Sequence, residues 1–485
     1  MPSPAKLPFR LHWLPLILAA SLTGACSTVE VALPQGPDTP ATFEQAQGDQ
    51  APITLERWWE SIGDSYLTQL IEQGLQSNAD IRIAMERVKE ARATVTMAES
   101  ALYPTVDLVG LTSRSRLDYP ETGPIGPITI PADTRYATLS TGGLSAAWEV
   151  DLFGARRSDR DAARQAVLGM QEKQHGAQML VAADIASNYF EARSLERRQQ
   201  VLDNSITVAQ RLQQYAQGRF DAGHATRFDV DRARTQVESL QSLKAPLQSL
   251  LSARIRRLAV LTGKAPESIN RMPPQLPLPA PGSSLIPAPL PTVLPADVLE
   301  RRPDVRGTAN LVRAQAARLG SAKADLLPRF YLGFAAQDGH IEISGLPATS
   351  PNLLGVSAGV RLPLFDAGRI RAHITASDAR LQAAGIQYEQ AVLSALEDVE
   401  NAYSARRALD QRTDKLRSAW QIAQEGAEHA DHLFQEGSGL LQPVLEAKLQ
   451  ALQKEDELIQ TQTARALTTV LLYKAIGGGW QATGS

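Results

Sequence analysis

Cysteine is almost missing from this 485-residue chain: Cys26 stands alone, so no intramolecular disulfide can hold the fold. Aromatic residues reach only 5%, few for an ordinary mixed core, and with many Ala, Gln and Leu the balance suits long helices. The net charge of -3 offers no basic surplus, which leaves no electrostatic case for a nucleic-acid partner. After the N-terminus no run of 18 apolar residues occurs, so no transmembrane helix is available and a membrane role would need another device. No His-Glu-x-x-His motif exists, and the 6 methionines are unclustered, which gives no support for a copper route. Proline is missing from Phe365 to Phe434, and again between Asp151 and Pro246.

The first of these proline-free stretches organises the chain. Apolar residues recur at steps of three, four or seven: Ile370, Ile374, Leu381, Tyr388, Val392, Leu396, Val399, Tyr403, Leu416 and Trp420. That is a narrow helical stripe with a polar remainder. At ~1.5 Å per residue, about 70 residues make a rod of roughly 100 Å. A 150-residue globular domain has a radius of gyration of only ~15 Å. Such a rod must pair with similar rods. A coiled-coil scaffold is the plainer alternative.

The N-terminal stretch reads as a secretory signal over residues 1–25. Lys6 and Arg10 give a basic start, Trp13 to Ala20 a short apolar core, and Leu22-Thr23-Gly24-Ala25 leads to Cys26. Small residues directly before a cysteine resemble a bacterial lipobox, with the usual leucine one position early. The resemblance implies cleavage before Cys26, then a diacylglycerol on its thiol and an acyl chain on its new amino group. Each buried CH2 contributes about 0.8 kcal/mol, so several chains anchor stably. Ser27, where Asp would be the alternative, resembles the pattern sent to the outer membrane. Residues 26–55, with Pro34, Pro37, Pro40 and Pro52, read as an extended tether.

Beyond the tether the chain is duplicated. Asn78-Ala79-Asp80-Ile81-Arg82 recurs as Arg302-Pro303-Asp304-Val305-Arg306, and Ala101-Leu102-Tyr103-Pro104 as Asp325-Leu326-Leu327-Pro328, both at an offset of 224. Val150-Asp151-Leu152-Phe153 recurs as Leu362-Pro363-Leu364-Phe365 at 212, so the first hairpin loop is the longer. Phe220-Asp221-Ala222-Gly223 recurs as Phe434-Gln435-Glu436-Gly437 at 214. Repeat one covers 56–264, with strands about 103–115 and 136–150 and a helix turn about 218–228. A proline-rich linker spans 265–295. Repeat two covers 296–480, with strands about 328–338 and 352–364 and a turn about 435–443; residues 481–485 form a tail. Each repeat reads as helix, strand, loop, strand, long helix, tight turn, returning helix.

Four strands cannot close a barrel, and open strand edges are not tolerated in lipid. If these strands enter a membrane, chains must pool them. Two copies would give eight strands and a filled interior, whereas three give twelve. A closed trimer is an ordinary assembly. A soluble four-stranded sheet with helices is the competing reading.

Three further stretches carry a family resemblance: Leu294-Pro295-Ala296-Asp297 with Leu299-Glu300-Arg301-Arg302-Pro303-Asp304-Val305, Trp148-Glu149-Val150-Asp151-Leu152-Phe153-Gly154, and Leu472-Tyr473-Lys474-Ala475-Ile476-Gly477-Gly478-Gly479-Trp480. Over Arg57 to Trp480 the chain resembles the TolC-type outer-membrane efflux proteins, in the lipoprotein branch typified by OprM and NodT. The resemblance implies a mainly α protein with a β-barrel part. Its homotrimer would form a twelve-stranded barrel and a twelve-helix periplasmic tunnel, docked to an adaptor and an inner-membrane RND-type pump. It implies a passive exit duct for drugs or other small toxic compounds, with no catalysis and no cofactor beyond the acyl chains. Ala309-Asn310 departs from the family's Ala-Glu. A secretion duct for peptides or proteins, served by another pump, is the alternative within the class; a periplasmic helical scaffold that never enters the membrane is the alternative outside it.

Enzyme-like patterns are decoys. Gly355-Val356-Ser357-Ala358-Gly359 fits G-x-S-x-G, yet strand-like residues continue through Leu362 where that elbow needs a helix. His429 and His432 lack partners of ligand spacing and read as solvated surface. Gly477-Gly478-Gly479 lacks the lysine and hydroxyl of a phosphate loop and reads as a flexible chain end. The functional positions fall at the two turns. Gly218 and Gly223 bracket the first; Gly437 and Gly439 lie in the second, where Pro443 suits the first turn of a returning helix. The family's tip carries a Leu-Asp-Ala triplet that helps constrict the pore, and Leu445-Glu446-Ala447 matches it with Glu for Asp. The aligned residue of repeat one is Arg232, preceded by Asp229 and Asp231. The expectation is that Glu446 lines or braces a closed end and that Arg232 pairs with such a carboxylate across the repeats.

Overall fold

A computed structural model describes residues 31–34, 36–44, 55–119, 122–125, 128–130, 133–269 and 293–480. Cys26 and most of the proline-rich linker lie outside the described residues. The chain divides into two compact units. One contains Lys89–Leu168 and Asn310–Ile386; the other contains Gly36–Val88, Gly169–Ala309 and Gln387–Ser485.

Repeat one runs α1 (Ser65–Ser77), α2 (Ala79–Ser100), β1 (Thr105–Tyr119), a short ribbon of β2 (Thr122–Ile125) and β3 (Ile128–Ile130), β4 (Asp133–Val150), α3 (Ala155–Asp221), α4 (Arg227–Ser242) and α5 (Lys244–Leu261). Repeat two runs α6 (Pro295–Arg301), α7 (Pro303–Ala324), β5 (Arg329–Ile343), β6 (Asn352–Arg361), α8 (Arg369–Gln435) and α9 (Leu441–Ala475). The offsets seen in the sequence reappear as equal lengths: α2 and α7 have 22 residues each, α3 and α8 have 67 each. The returning helix is continuous in repeat two but broken at Leu243 in repeat one. There Pro246 has no N–H to give Ser242, and its ring crowds that carbonyl.

The first unit is organised by one antiparallel sheet of order β1-β4-β5-β6. Its strands reach further toward the hairpin turns than the sequence suggests: β1 runs to Tyr119 and β5 to Ile343, against expected ends near 115 and 338. The extra segments, Arg116–Tyr119 and Gly339–Ile343, are short and alternate single apolar residues with Arg, Asp, His and Glu. β6 stops at Arg361, short of 364, because Pro363 cannot donate to a ladder.

Register sorts the strand residues onto two unlike faces, since side chains alternate and directly paired residues share a face. On one face four successive rows are apolar throughout: Val150, Phe330 and Val360; Trp148, Leu332 and Ala358; Val106, Ala146, Phe334 and Val356; Leu108, Leu144, Ala336 and Leu354. The next row, Gly110, Gly142, Asp338 and Asn352, ends the band. Away from the helix end, where Trp148, Val150 and Phe330 are half-buried, the side chains lie open: Leu108 is 82% exposed, Val356 81% and Leu354 76%.

The second unit holds the main core. Trp58 stacks on Tyr473 at 4.8 Å, and Leu67, Ile71, Ile185, Leu258, Val399 and Val470 close around them. Asp64 caps α1 by accepting from the N–H groups of Tyr66 and Leu67 at 3.0 Å, and Tyr189 donates its hydroxyl to the same carboxylate. Residues 36–44 of the expected tether are seated rather than loose: Phe43 is buried and meets the Tyr403 ring at 6.4 Å. The glycine run Gly477–Gly479 is not a free chain end either. Gly478 lies so close to Leu55 O that a Cβ would come within 2.8 Å, Gly479 donates its N–H to Leu55 O at 2.9 Å, and Trp480 is buried against His175. Glycine is used here for close backbone approach.

Candidate functional site

Both helix turns lie in the second unit, and both are built the same way. At the first, Gly223 has φ +75°, its N–H reaches Phe220 O at 2.9 Å and the His224 N–H reaches Arg219 O at 2.7 Å. At the second, Gly437 has φ +73°, its N–H reaches Phe434 O at 3.0 Å and the Ser438 N–H reaches Leu433 O at 2.9 Å. These are two Schellman motifs at the repeat offset of 214, with glycine at the left-handed position where a Cβ would clash. The other two candidate glycines serve differently. Gly218 lies inside the last turn of α3, with open space about it. Gly439 permits a close pass over the end of α8, where a Cβ would stand 3.3 Å from the Leu433 and Phe434 backbone.

The helices that leave the turns begin in unlike ways. Thr226 caps α4 with a full capping box: its hydroxyl accepts the Asp229 N–H at 3.3 Å, and the Asp229 carboxylate accepts from the Thr226 N–H at 2.9 Å and from its hydroxyl at 2.7 Å. These bonds, the Thr226 hydroxyl first and its N–H second, hold the Asp229 carboxyl below the usual carboxylate range. The residue that caps α9 is Leu440, which offers no side-chain acceptor. At the position matching Asp229 stands Pro443, which has no N–H left to satisfy.

One turn further on, Arg232 Nη2 of α4 lies 3.0 Å from Glu446 Oε1 of α9, so the structure brings these two sequence candidates together across the repeats. Gln442 donates to the same carboxylate at 3.0 Å. Both charged groups are substantially exposed, at 59% and 44%, so the pair contributes under about 1 kcal/mol. Asp231 turns instead to Arg227 of its own helix at 3.3 Å, and Asp229 is occupied by its capping box. Beneath the pair, Leu212, Ala233 and Leu445 form a small buried cluster that fixes the spacing of α3, α4 and α9.

Sequence reasoning missed several members of this region. Arg232 and Glu446 span one part of a cleft of about 510 Å³ between α3, α4 and α9, and Arg198 of α3 spans another by pairing with Asp456 of α9 at 2.7 Å. Lys448 of α9 pairs with Asp431 of α8 at 3.0 Å. The capping box was visible as a Thr-x-x-Asp spacing opening a helix; the inter-helix pairs carry no local signal. Phe228 and Leu440, 72% and 59% exposed, leave apolar side chains at the two turns. Among the described residues no group of His, Cys, Asp and Glu could hold a metal, and His429 and His432 belong to no such group.

Comparison with known proteins covers both repeats. Residues 70–264 and 294–478 match the family described as outer membrane efflux protein. The solvent efflux pump outer membrane protein SrpC of Pseudomonas putida is 27% identical over 443 residues, 90% of each chain. The cation efflux system protein CusC of Escherichia coli O6:H1 is 26% identical over 483 residues, 99% of this chain and 100% of that one. The solved outer-membrane channel OprN has a TM-score of 0.82 at 27% identity, covering 94% of this chain and 100% of that one. The chain therefore belongs to the outer membrane efflux protein family and is an efflux channel protein of the outer membrane.

Proposed function

We propose that three copies of this chain close a twelve-stranded barrel in the outer membrane, continued by a twelve-helix periplasmic tunnel, as a passive exit duct for small toxic compounds. The observation that carries the reading is the two-faced sheet. Its apolar band spans Leu144–Val150, roughly 20 Å along a strand and about 15 Å in height at a barrel's ~40° tilt, which covers over half of the ~25 Å apolar band of an outer-membrane barrel. Among the described residues β1 and β6 each pair on one side only, and bare edges are not tolerated in lipid. Joining β6 of one copy to β1 of the next removes every edge, and three copies give a bore that two would not.

In this reading the two turns form the periplasmic end, where three Arg232–Glu446 pairs hold the tip closed. A periplasmic adaptor opens it by binding the open form more tightly, and an inner-membrane RND-type pump supplies cargo and energy. Cys26 carries the acyl anchor. The relatives' cargoes, a solvent for SrpC and a cation for CusC, support choice of substrate in the pump rather than in the duct. Heat-resistant trimer bands and ion conductance in planar bilayers test the duct, and Arg232→Ala and Glu446→Ala trimers test the gate. Both variants are expected to raise conductance. Unchanged conductance in the two would remove the pair from the gate, and a lone protomer that made no holes in lipid would end the reading.

A further inference from the structure

The two edges of the sheet leave different side chains bare. Where β6 ends, the chain runs Arg361-Leu362-Pro363-Leu364-Phe365, and Leu364 and Phe365 are 90% and 91% exposed. The matching junction of repeat one is covered: the Phe153 ring lies 6.4 Å from the Phe330 ring of β5, the first strand of repeat two. On the other edge stands Val106 of β1, which matches Phe330 at the offset of 224 and is also exposed. A contact made between the repeats inside one chain therefore has both of its halves repeated, unpaired, at opposite edges.

The duplication fixes how those edges would meet. Repeat one joins repeat two by pairing β4 with β5, with Val150 opposite Phe330. Adding 212 to the first and subtracting 224 from the second sets Leu362 of one copy opposite Val106 of the next. The faces then agree, since Val360 falls opposite Leu108; an odd shift would set apolar against polar. Arg361 falls opposite Asp107. Both are exposed, and among the described residues neither belongs to an ion pair within the chain. Opposite charges directly across a strand pair favour it.

We propose that a second copy of the chain docks on these edges in this one register: Phe365 of one copy packs on Val106 of the next, and Arg361 pairs with Asp107. This rests on the barrel reading above and supplies the seam that reading leaves open. Barrel geometry is an independent check. The row Val106, Ala146, Phe334 and Val356 crosses one chain and, in this register, re-enters the next at Thr112, six residues further along β1. Three such steps make about 18 residues of stagger at ~3.3 Å each, over twelve strands ~4.8 Å apart, a strand tilt of about 46° and close to the ≈45° of membrane strands. A seam two residues further on gives about 54°, and it sets Arg114 and Arg116 opposite Val356 and Leu354 in the apolar band. A seam two residues back puts Arg361 opposite Thr105, with its charge unanswered.

Disulfide cross-linking of the full chain in membranes tests the register. Within one chain β1 and β6 are three strand spacings apart, about 14 Å and too far for a disulfide, so any bond joins copies. Under mild oxidation Asp107→Cys with Arg361→Cys is expected to give covalent dimers and trimers on the order of tenfold faster than Thr105→Cys or Val109→Cys with Arg361→Cys. The unmodified chain and the single variants correct for Cys26. Without any new cysteine, Arg361→Asp should lower the temperature at which trimer bands dissociate, and adding Asp107→Arg should restore it. Phe365→Ala should lower it as well. Faster cross-linking of either shifted pair would overturn the register. No cross-link in any of the three, in chains that keep their trimer bands and conduct, would overturn the interface, and a charge exchange that restores nothing would overturn the ion pair. Absence of trimer and conductance in the unmodified chain is a separate result, and would count against the barrel itself.

Discussion

The two helix turns share a backbone and differ in chemistry. Gly223 and Gly437 occupy equivalent left-handed positions, and the chain reverses through the same pair of hydrogen bonds. The returning helices then solve the problem of unpaired N-terminal N–H groups in opposite ways. At Thr226 the donors are satisfied by an oxygen and a carboxylate; at Pro443 a donor is deleted and φ is preset. The backbone geometry is therefore the shared requirement, and the means of starting the helix is free to vary. One turn depends on the ionisation of a carboxylate and the other does not.

The largest expected effects should erase the comparison. Gly223→Val and Gly437→Val each place a β-branched residue at a φ it avoids, at a cost of about 2 kcal/mol per site. Nearly equal losses in thermal unfolding of the protein would support equivalence, and a large inequality would break it. Thr226→Ala should cost about 1 kcal/mol through loss of the box, whereas Leu440→Ala, which removes no acceptor, should leave the local exchange of α9 amides unchanged. Hydrogen exchange of peptides covering each turn measures both.

Acid sharpens the difference further. Folded Asp229 holds its proton less readily than the unfolded chain does, so its contribution is complete above about pH 4 and is lost as the pH falls through the lower folded value. Between pH 6 and pH 3 the start of α4 should lose exchange protection, after correction for intrinsic rates, while the start of α9 keeps it. Installing Thr and Asp through Leu440→Thr with Pro443→Asp should transfer that acid sensitivity to the second turn. The smallest stability effect belongs to Arg232→Ala and Glu446→Ala, under about 1 kcal/mol each, because both side chains face water. Their conductance can change without their melting temperature doing so.

Much of the architecture was legible because it is periodic or duplicated. The offsets of 224 and 214 located paired helices of equal length, and a proline-free run marked each long helix. The turns were legible from glycine and proline, though positive φ applies to Gly223 and Gly437 and not to Gly218 or Gly439. The far end of β1 was hidden because the polar run Ser113 to Arg116 interrupts its alternation before Leu117 and Tyr119 resume it, and that of β5 because Gln337, Asp338 and Gly339 interrupt it before Ile341 and Ile343 do. The packing of Gly477–Trp480 was hidden for another reason: Leu55 is more than 400 residues away in the chain, and no local pattern reports so distant a neighbour. At the candidate site, Arg232 and Glu446 could be aligned by repeat, but the cleft and the pairing of Arg198 with Asp456 arise only from how three helices meet.

Parity along the strands constrains how this sheet can change its length. Deleting a single residue between Phe330 and Ala336 would transpose every side chain beyond it, placing Gln337 on the apolar face and Leu332 or Phe334 on the opposite one. Length changes inside the strands are thus quantised in twos, while odd-numbered ones must collect in the hairpin tips, so gaps among homologous chains should obey that arithmetic.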